Sequence, residues 1–308
     1  MRDAFVRALT ALAVDDSRVV LLTADLGFKL FDDFAERCPG RFFNVGVAEA
    51  NMISVAAGLA LDGRRPFVYS IVPFVTARCL DQIRIDLCEM KLPVTMVGVG
   101  GGYAYGPNGP SHHGVDDIGM VRSLPGMTVI APCDPRETTA AVRAIANVQG
   151  PVYLRLGRAK DPVLPGTGDG FTLGEPTVLR KGSSLLLLAC GAIASEVLQA
   201  ADLLARQGLD PAVVSAHTVK PLGSLPDRLS AYRDVFVVEE HGPHGGAFEA
   251  LAGAMASRSA TRPALHQICA PDVFHHRSGS SAFLRRASGL DAAAMAEKIV
   301  RTLEAREH

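Results

Sequence analysis

Short apolar runs of β-branched and aromatic residues alternate along the chain with longer stretches rich in Ala, Leu and Met whose apolar positions recur at helical spacing. The runs at 19–23, 41–45, 67–71, 94–99, 128–131 and 152–156 predict strands; the stretches at 28–37, 48–61, 75–90, 116–123 and 135–147 predict helices. A Pro- and Gly-rich segment, 159–176, interrupts the pattern and reads as a linker. The alternation then resumes with strands at 185–189, 212–215, 235–239 and 265–268 and helices at 195–207, 222–232, 246–257 and 292–305. Such alternation predicts parallel strands with helices on both faces. The expected fold class is α/β, with two doubly wound, mainly parallel-sheet domains at 1–160 and 177–308 joined by a linker at 161–176.

In open sheets of this kind ligands bind beyond the carboxyl ends of the strands. Asp25, Glu49 and the loop 100–114 all fall at such ends, so three separated segments can line one crevice. Glu49 sits at a strand-to-helix junction in RFFNVGVAEANM, among Ala and Val. It is either a first-turn acid favoured by the helix dipole or an acid in an apolar setting, which takes up a proton or is held by a partner group. The loop GGGYAYGPNGPSHHG carries six glycines and adjacent His112 and His113. Glycines let backbone approach a ligand and a histidine can donate or shuttle a proton near neutral pH, although a surface loop shares that composition. No GK[ST] follows, so this is not a P-loop.

Composition narrows the field. At 308 residues there is length for two cores, and 48% hydrophobic against 20% charged residues is the balance of a folded globular protein. A formal net charge of -1 without long runs of one sign gives no support to nucleic acid or a membrane surface as partner. The N-terminal stretch has apolar residues at helical spacing broken by Arg7, Asp15 and Asp16, an amphipathic helix rather than a signal peptide, and the apolar run 183–194 is too short to span a bilayer. Cys38, Cys79, Cys88, Cys133, Cys190 and Cys269 show no CxxC or zinc-ligand spacing and read as reduced thiols of a cytoplasmic protein.

The order of three segments is more specific than any one of them. RFFNVGVAEANM, then PFVYSIVPFVTARCLDQIR, then GPNGPSHHGVDDIGMVRSLPGMTVIAPCDP together resemble the pyrimidine-binding half of transketolase. The resemblance continues through GPVYLRLGR into the second block, where VKPLG, VVEEH and the closing PDVFHHRSGSSAFLRRASGLDAAAMAEKI resemble the family's C-terminal domain. The resemblance implies a thiamine diphosphate enzyme that transfers a two-carbon ketol unit from a ketose to an aldehyde. In the family the residue matching Glu49 bonds to a ring nitrogen of the aminopyrimidine, the residue at Phe74 stacks on that ring and Ile71 is a second wall. Asp25, in TADLG, matches an element lining the cofactor crevice, and His112 matches a histidine beside the reacting atoms. Arg158, in RLGR, matches a phosphate-binding arginine. His113 stands where the family usually has Gln, and His241 and His244 are expected to make structural contacts.

Three positions depart from the pattern. Asn108 replaces an Asp beside the donor hydroxyl, so it can hydrogen-bond but cannot act as a base. Gly100 replaces a histidine that contacts the acceptor phosphate, and Lys29 lies near an expected phosphate-binding Ser. An altered or non-phosphorylated acceptor is therefore expected. The metal that holds the diphosphate needs an Asp and an Asn, supplied in the family by GDG followed by Asn. The GDG here, Gly168, Asp169 and Gly170, falls in the linker and no Asn follows Asn147. The resemblance thus implies one subunit of a split enzyme, with no metal ligand of its own. Its expected partner is an N-terminal-half subunit with the GDG...N motif holding Mg²⁺ or Ca²⁺, and the expected assembly has two of each chain, α2β2, by the family's symmetry. Rival readings are the beta chain of a 2-oxo-acid dehydrogenase first component, a deoxyxylulose-phosphate-synthase-like enzyme, and a non-catalytic assembly subunit.

Overall fold

The computed structural model describes residues 1–158, 160–168, 170–257 and 262–306. Asp169, the middle of the linker GDG, and Ala159 lie outside the described residues. In chain order the strands are β1 (Val19–Thr23), β2 (Phe42–Asn44), β3 (Arg65–Ile71), β4 (Thr95–Val99), β5 (Thr128–Ile130), β6 (Val152–Leu156), β7 (Thr177–Arg180), β8 (Leu185–Cys190), β9 (Pro211–Ser215), β10 (Thr218–Lys220), β11 (Asp234–Glu239) and β12 (Ala264–Cys269). One sheet has the order β10-β5-β6-β4-β3-β1-β2 and the other β12-β11-β8-β9-β7. All pairings are parallel except those of the edge strands β10 and β7. The fold class is the α/β one expected. Strands β1, β4, β6, β8 and β11 are buried along their whole length, which is why they appear in the sequence as largely apolar runs, interrupted in β6 by the buried Arg155.

Two features depart from expectation. The first is β10, three residues unforeseen as a strand, which leaves the second block and pairs antiparallel with β5 of the first sheet. Ala131 N donates to the His217 carbonyl at 2.7 Å beside this pairing, and Lys220 Nζ donates to the carbonyls of Arg122 and Leu124 at 2.9 and 2.5 Å. One buried apolar cluster accordingly runs from Val20 and Met52 through Val121 and Val129 to Leu188, Leu229 and Leu251, giving the two sheets a continuous core.

The second departure is the single helix expected at 75–90. The chain instead forms a helical turn, Val72–Val75, a tighter one at Ala77–Cys79, a short α-turn at Leu80–Gln82 and a π-helical stretch at Ile83–Glu89. Pro73 opens the first turn, and Thr76 Oγ1 donates to the Val72 carbonyl at 2.7 Å, a side-chain bond that competes with the regular ladder. The α-turn and the tighter turn meet at Thr76, between Phe74 and Arg78. The predicted helix 28–37 is shorter as well, Asp32–Arg37, because Gly27 and Lys29 hold left-handed turns with φ of 79° and 59°.

Candidate functional site

Glu49 is the first residue of the helix Glu49–Leu61, which opens just after β2. Its side chain is 2% exposed. The question left open by the sequence, a proton or a partner, is answered by two partners. Ser70 Oγ, next to the end of β3, donates to Oε1 at 3.2 Å, and Arg78 Nη1 donates to Oε2 at 2.5 Å. The same guanidinium lies over the Phe74 ring, with Cζ 4.3 Å from its centroid. A carboxylate, a planar cation and an aromatic face are thus stacked in one place. Cys79 Sγ, donating to the Phe74 carbonyl at 3.2 Å, fixes the turn between ring and guanidinium.

Across the ring stands His112, in the turn Pro110–His112, meeting Phe74 edge-on with centroids 5.0 Å apart. Burial holds its imidazole below the usual range, which favours the uncharged ring at neutral pH. Its Nδ1 is 3.0 Å from Ser111 Oγ. His113 turns the other way, into the protein: Nε2 lies 3.3 Å from the Gly106 carbonyl and its ring packs edge-on against Tyr103. Of the two adjacent histidines, one faces the Glu49 cluster and one secures the loop.

The loop that presents His112 is closed at its neck. Gly102 N donates to the Gly114 carbonyl at 2.6 Å and Gly114 N to the Gly102 carbonyl at 2.9 Å. A Cβ on Gly114 would meet Val72 at 2.6 Å and one on Gly102, where φ is 64°, the Glu240 carboxylate at 2.5 Å, so both positions need glycine. Arg155, fully buried on β6, ties this neck to both sheets. Its Nη2 donates to the carbonyls of Gly114 (2.6 Å) and Glu240 (3.0 Å), and Nε donates to Asp117 Oδ2 at 2.8 Å. Tyr153 OH donates to the same oxygen at 2.6 Å. Burial alone would lower the Arg155 guanidinium, but the Asp117 charge overrides it and holds the group well above its ordinary value. Arg285, from the helix Ser281–Ala287, donates to both Glu240 carboxylate oxygens at 2.8 and 2.9 Å.

The remaining candidates are placed around this cluster. Ile71 ends β3 beside Ser70. Asp25 and Lys29 line a separate cavity of about 370 Å³ together with Thr23, Asp32 and Asn44, at the ends of β1 and β2. Asp25 has a left-handed φ of 54°; Asn44 Nδ2 donates to its Oδ1 at 3.0 Å, while Asn44 Oδ1 accepts from Asp25 N and Gly46 N. Asn108 is exposed in the turn Gly106–Asn108 of the His112 loop. Arg158 is exposed after β6, where its carbonyl accepts from the Met1 nitrogen. Gly100, where a histidine would be needed for a phosphate contact, has a φ of 93°, and the Tyr105 ring fills the place its Cβ would take. Glu49, Phe74 and His112 are therefore brought together; Asp25 and Lys29 line a cavity of their own; Arg158 is on a third segment. His241 is buried and its Nε2 accepts from Gly119 N at 3.2 Å, a contact within the fold, and His244 is exposed beside Glu249. Sequence reasoning missed Ser70 and Arg78.

No group of three or more His, Cys, Asp and Glu side chains among the described residues is arranged to hold a metal ion. No helix among them is long and apolar enough to cross a membrane.

Residues 1–162 match the model of the transketolase pyrimidine binding domain, and residues 174–295 that of the transketolase C-terminal domain. The chain is 41% identical over 222 residues to the 6-deoxy-6-sulfo-D-fructose transketolase subunit SqwH of Clostridium sp. (strain MSTE9), covering 72% of this chain and 69% of that protein. It is 35% identical over 249 residues to a subunit of the apulose-4-phosphate transketolase of Phocaeicola vulgatus, covering 80% of each. A solved structure described as a split gene transketolase in an inactive beta4 tetramer superposes with a TM-score of 0.88 at 32% identity, over 98% of both chains.

Proposed function

Because the chain belongs to the transketolase family, carrying its pyrimidine-binding and C-terminal domains, we propose that it is one subunit of a split thiamine-diphosphate-dependent transketolase. The observation that carries this reading is the Glu49 cluster: a buried acid at a strand end, a half-buried aromatic face beside it and a histidine across that face. The residues fit an aminopyrimidine. The Glu49 carboxylate would take the ring nitrogen, Phe74 would stack on the ring and Ile71 would close the wall. When bound, thiamine diphosphate supplies the nucleophilic carbon and stores the electron pair between cleavage of the ketose and addition to the aldehyde. Glu49 would hold the pyrimidine nitrogen by a hydrogen bond and so favour one tautomer of the ring. His112, uncharged at neutral pH, accepts a proton from or donates a hydrogen bond to the substrate oxygen, and the glycine loop brings backbone close to it.

Asp25 lines the crevice, and Asn108, Lys29 and Arg158 contact substrate. With Tyr105 filling the space beside Gly100, the acceptor differs from an unmodified sugar phosphate. Efficient use of ribose 5-phosphate would refute that part of the reading. The diphosphate and its Mg²⁺ or Ca²⁺ are held by a partner chain corresponding to the N-terminal half, in an assembly of two of each chain. The relatives that are themselves subunits of transketolases support such a division.

The test is reconstitution. Co-expressed with the diphosphate-binding chain and supplied with thiamine diphosphate and Mg²⁺, the protein is expected to move a two-carbon unit from a ketose to an aldehyde without releasing CO₂. Release of CO₂ from pyruvate would instead place it with the 2-oxo-acid dehydrogenase or deoxyxylulose phosphate synthase chemistry.

A further inference from the structure

The Arg78 guanidinium makes two contacts at once: a charged hydrogen bond to Glu49 at 2.5 Å and a face-on approach to Phe74 at 4.3 Å. A flat nitrogen heterocycle seated in this site would make the same two, with an N–H aimed at the carboxylate and a face laid on the ring. Both groups cannot be there together. The two partners of the ion pair differ in freedom, since Glu49 is 2% exposed and Arg78 46% exposed. The acid is fixed by the fold, whereas the arginine can withdraw on its long stem into solvent or toward another chain.

Resting on the reading of Glu49 and Phe74 as the pyrimidine seat, we propose that Arg78 is a removable stand-in for the coenzyme ring. It fills the ring's place against Glu49 and Phe74 while the site is vacant, and swings out when the ring enters. The arrangement has a physical reason. A buried carboxylate left without a counter-charge is strongly destabilising, so a chain that must exist before its coenzyme and partner arrive needs a temporary partner for Glu49. A planar guanidinium supplies both the hydrogen bond and the stacking surface, which the point charge of a lysine would not. Phe74 and Arg78 stand on either side of the turn at Thr76, four residues apart, and the guanidinium lies over the ring while it reaches Glu49.

Occupation by Arg78 weakens coenzyme binding by the fraction of time that the seat is free: an arginine in place about nine-tenths of the time lowers the apparent affinity about tenfold. The experiment is calorimetric titration of the assembled pair with thiamine diphosphate and Mg²⁺, without substrate, for wild type, Arg78→Met and Arg78→Ala, with melting of the lone chain alongside. The variants are expected to bind the coenzyme about tenfold more tightly while the lone chain melts at a lower temperature. Equal or weaker binding by assembled variants overturns the proposal. Should neither variant assemble, a crystal structure of the wild-type pair with coenzyme decides it: a guanidinium withdrawn from Glu49 supports the stand-in, and a retained ion pair overturns it. A wild-type pair that binds no thiamine diphosphate would remove the underlying reading as well, whereas wild-type binding without tightening in the variants removes this inference alone.

Discussion

In the reconstituted pair, Glu49→Gln is expected to lower kcat for ketol transfer by roughly 10²- to 10⁴-fold, the range attached to a positioned acid or base. The glutamine keeps the size of the side chain and can still accept from Ser70, so the packing around the first turn of Glu49–Leu61 survives. What it loses is the negative charge that the proposed role of Glu49 requires at the seat. Arg78 is left without its counter-charge, but it is nearly half exposed and water can take over its hydrogen bonds. The melting temperature of the lone chain should therefore change far less than the rate. Steady-state kinetics and scanning calorimetry on the same preparations separate the two. An unchanged rate would support the rival reading, a chain kept for assembly with no part in the chemistry.

The largest expected effect on stability is at Asp117. Its carboxylate is fully buried and accepts from Arg155 and Tyr153, and Arg155 in turn reaches the carbonyls of Gly114 and Glu240. Asp117→Ala leaves a buried guanidinium with no counter-charge and a buried phenol with no acceptor. Removing one partner of such a pair costs about 3–5 kcal/mol, which at roughly 2–4 °C per kcal/mol for chains of this size corresponds to a fall of about 10 °C in Tm. Because the same arginine secures the neck of the His112 loop, proteolysis within 100–114 should speed up in parallel. A Tm within a degree or two of wild type would mean that this network does not hold the loop and the two sheets together.

Much of this was legible in the amino-acid pattern. Fully buried strands show themselves as apolar runs, and the strand-to-helix junction marks Glu49 because an acid there is out of keeping with its neighbours. Phe74 and His112 carried too little signal alone and became candidates through the order of the segments around them. Arg78 escaped because 75–90 reads as one continuous helix, in which a surface arginine is commonplace. A trace was present all the same: Phe74 and Arg78 are four apart, the spacing that brings side chains together on a helical face. Ser70 lies inside an apolar run, where a serine reads as filler in a strand. Strand β10 is three residues long and ends before a proline, and nothing local in it says that it joins the other block's sheet. The pairing of Asp25 with Asn44 was equally hidden, since it spans 19 positions and depends on how two adjacent strands end.

The proposed coenzyme seat is divided between two polypeptides, and one titration tests that division directly. Thiamine diphosphate with Mg²⁺ is added to the purified chain and, separately, to the chain assembled with its diphosphate-binding partner, with the heat of binding followed in each. The division predicts saturable binding, one coenzyme for each copy of this chain, by the assembled pair and no saturable binding by the chain alone. Tight, metal-dependent, one-to-one binding by the isolated chain would contradict it.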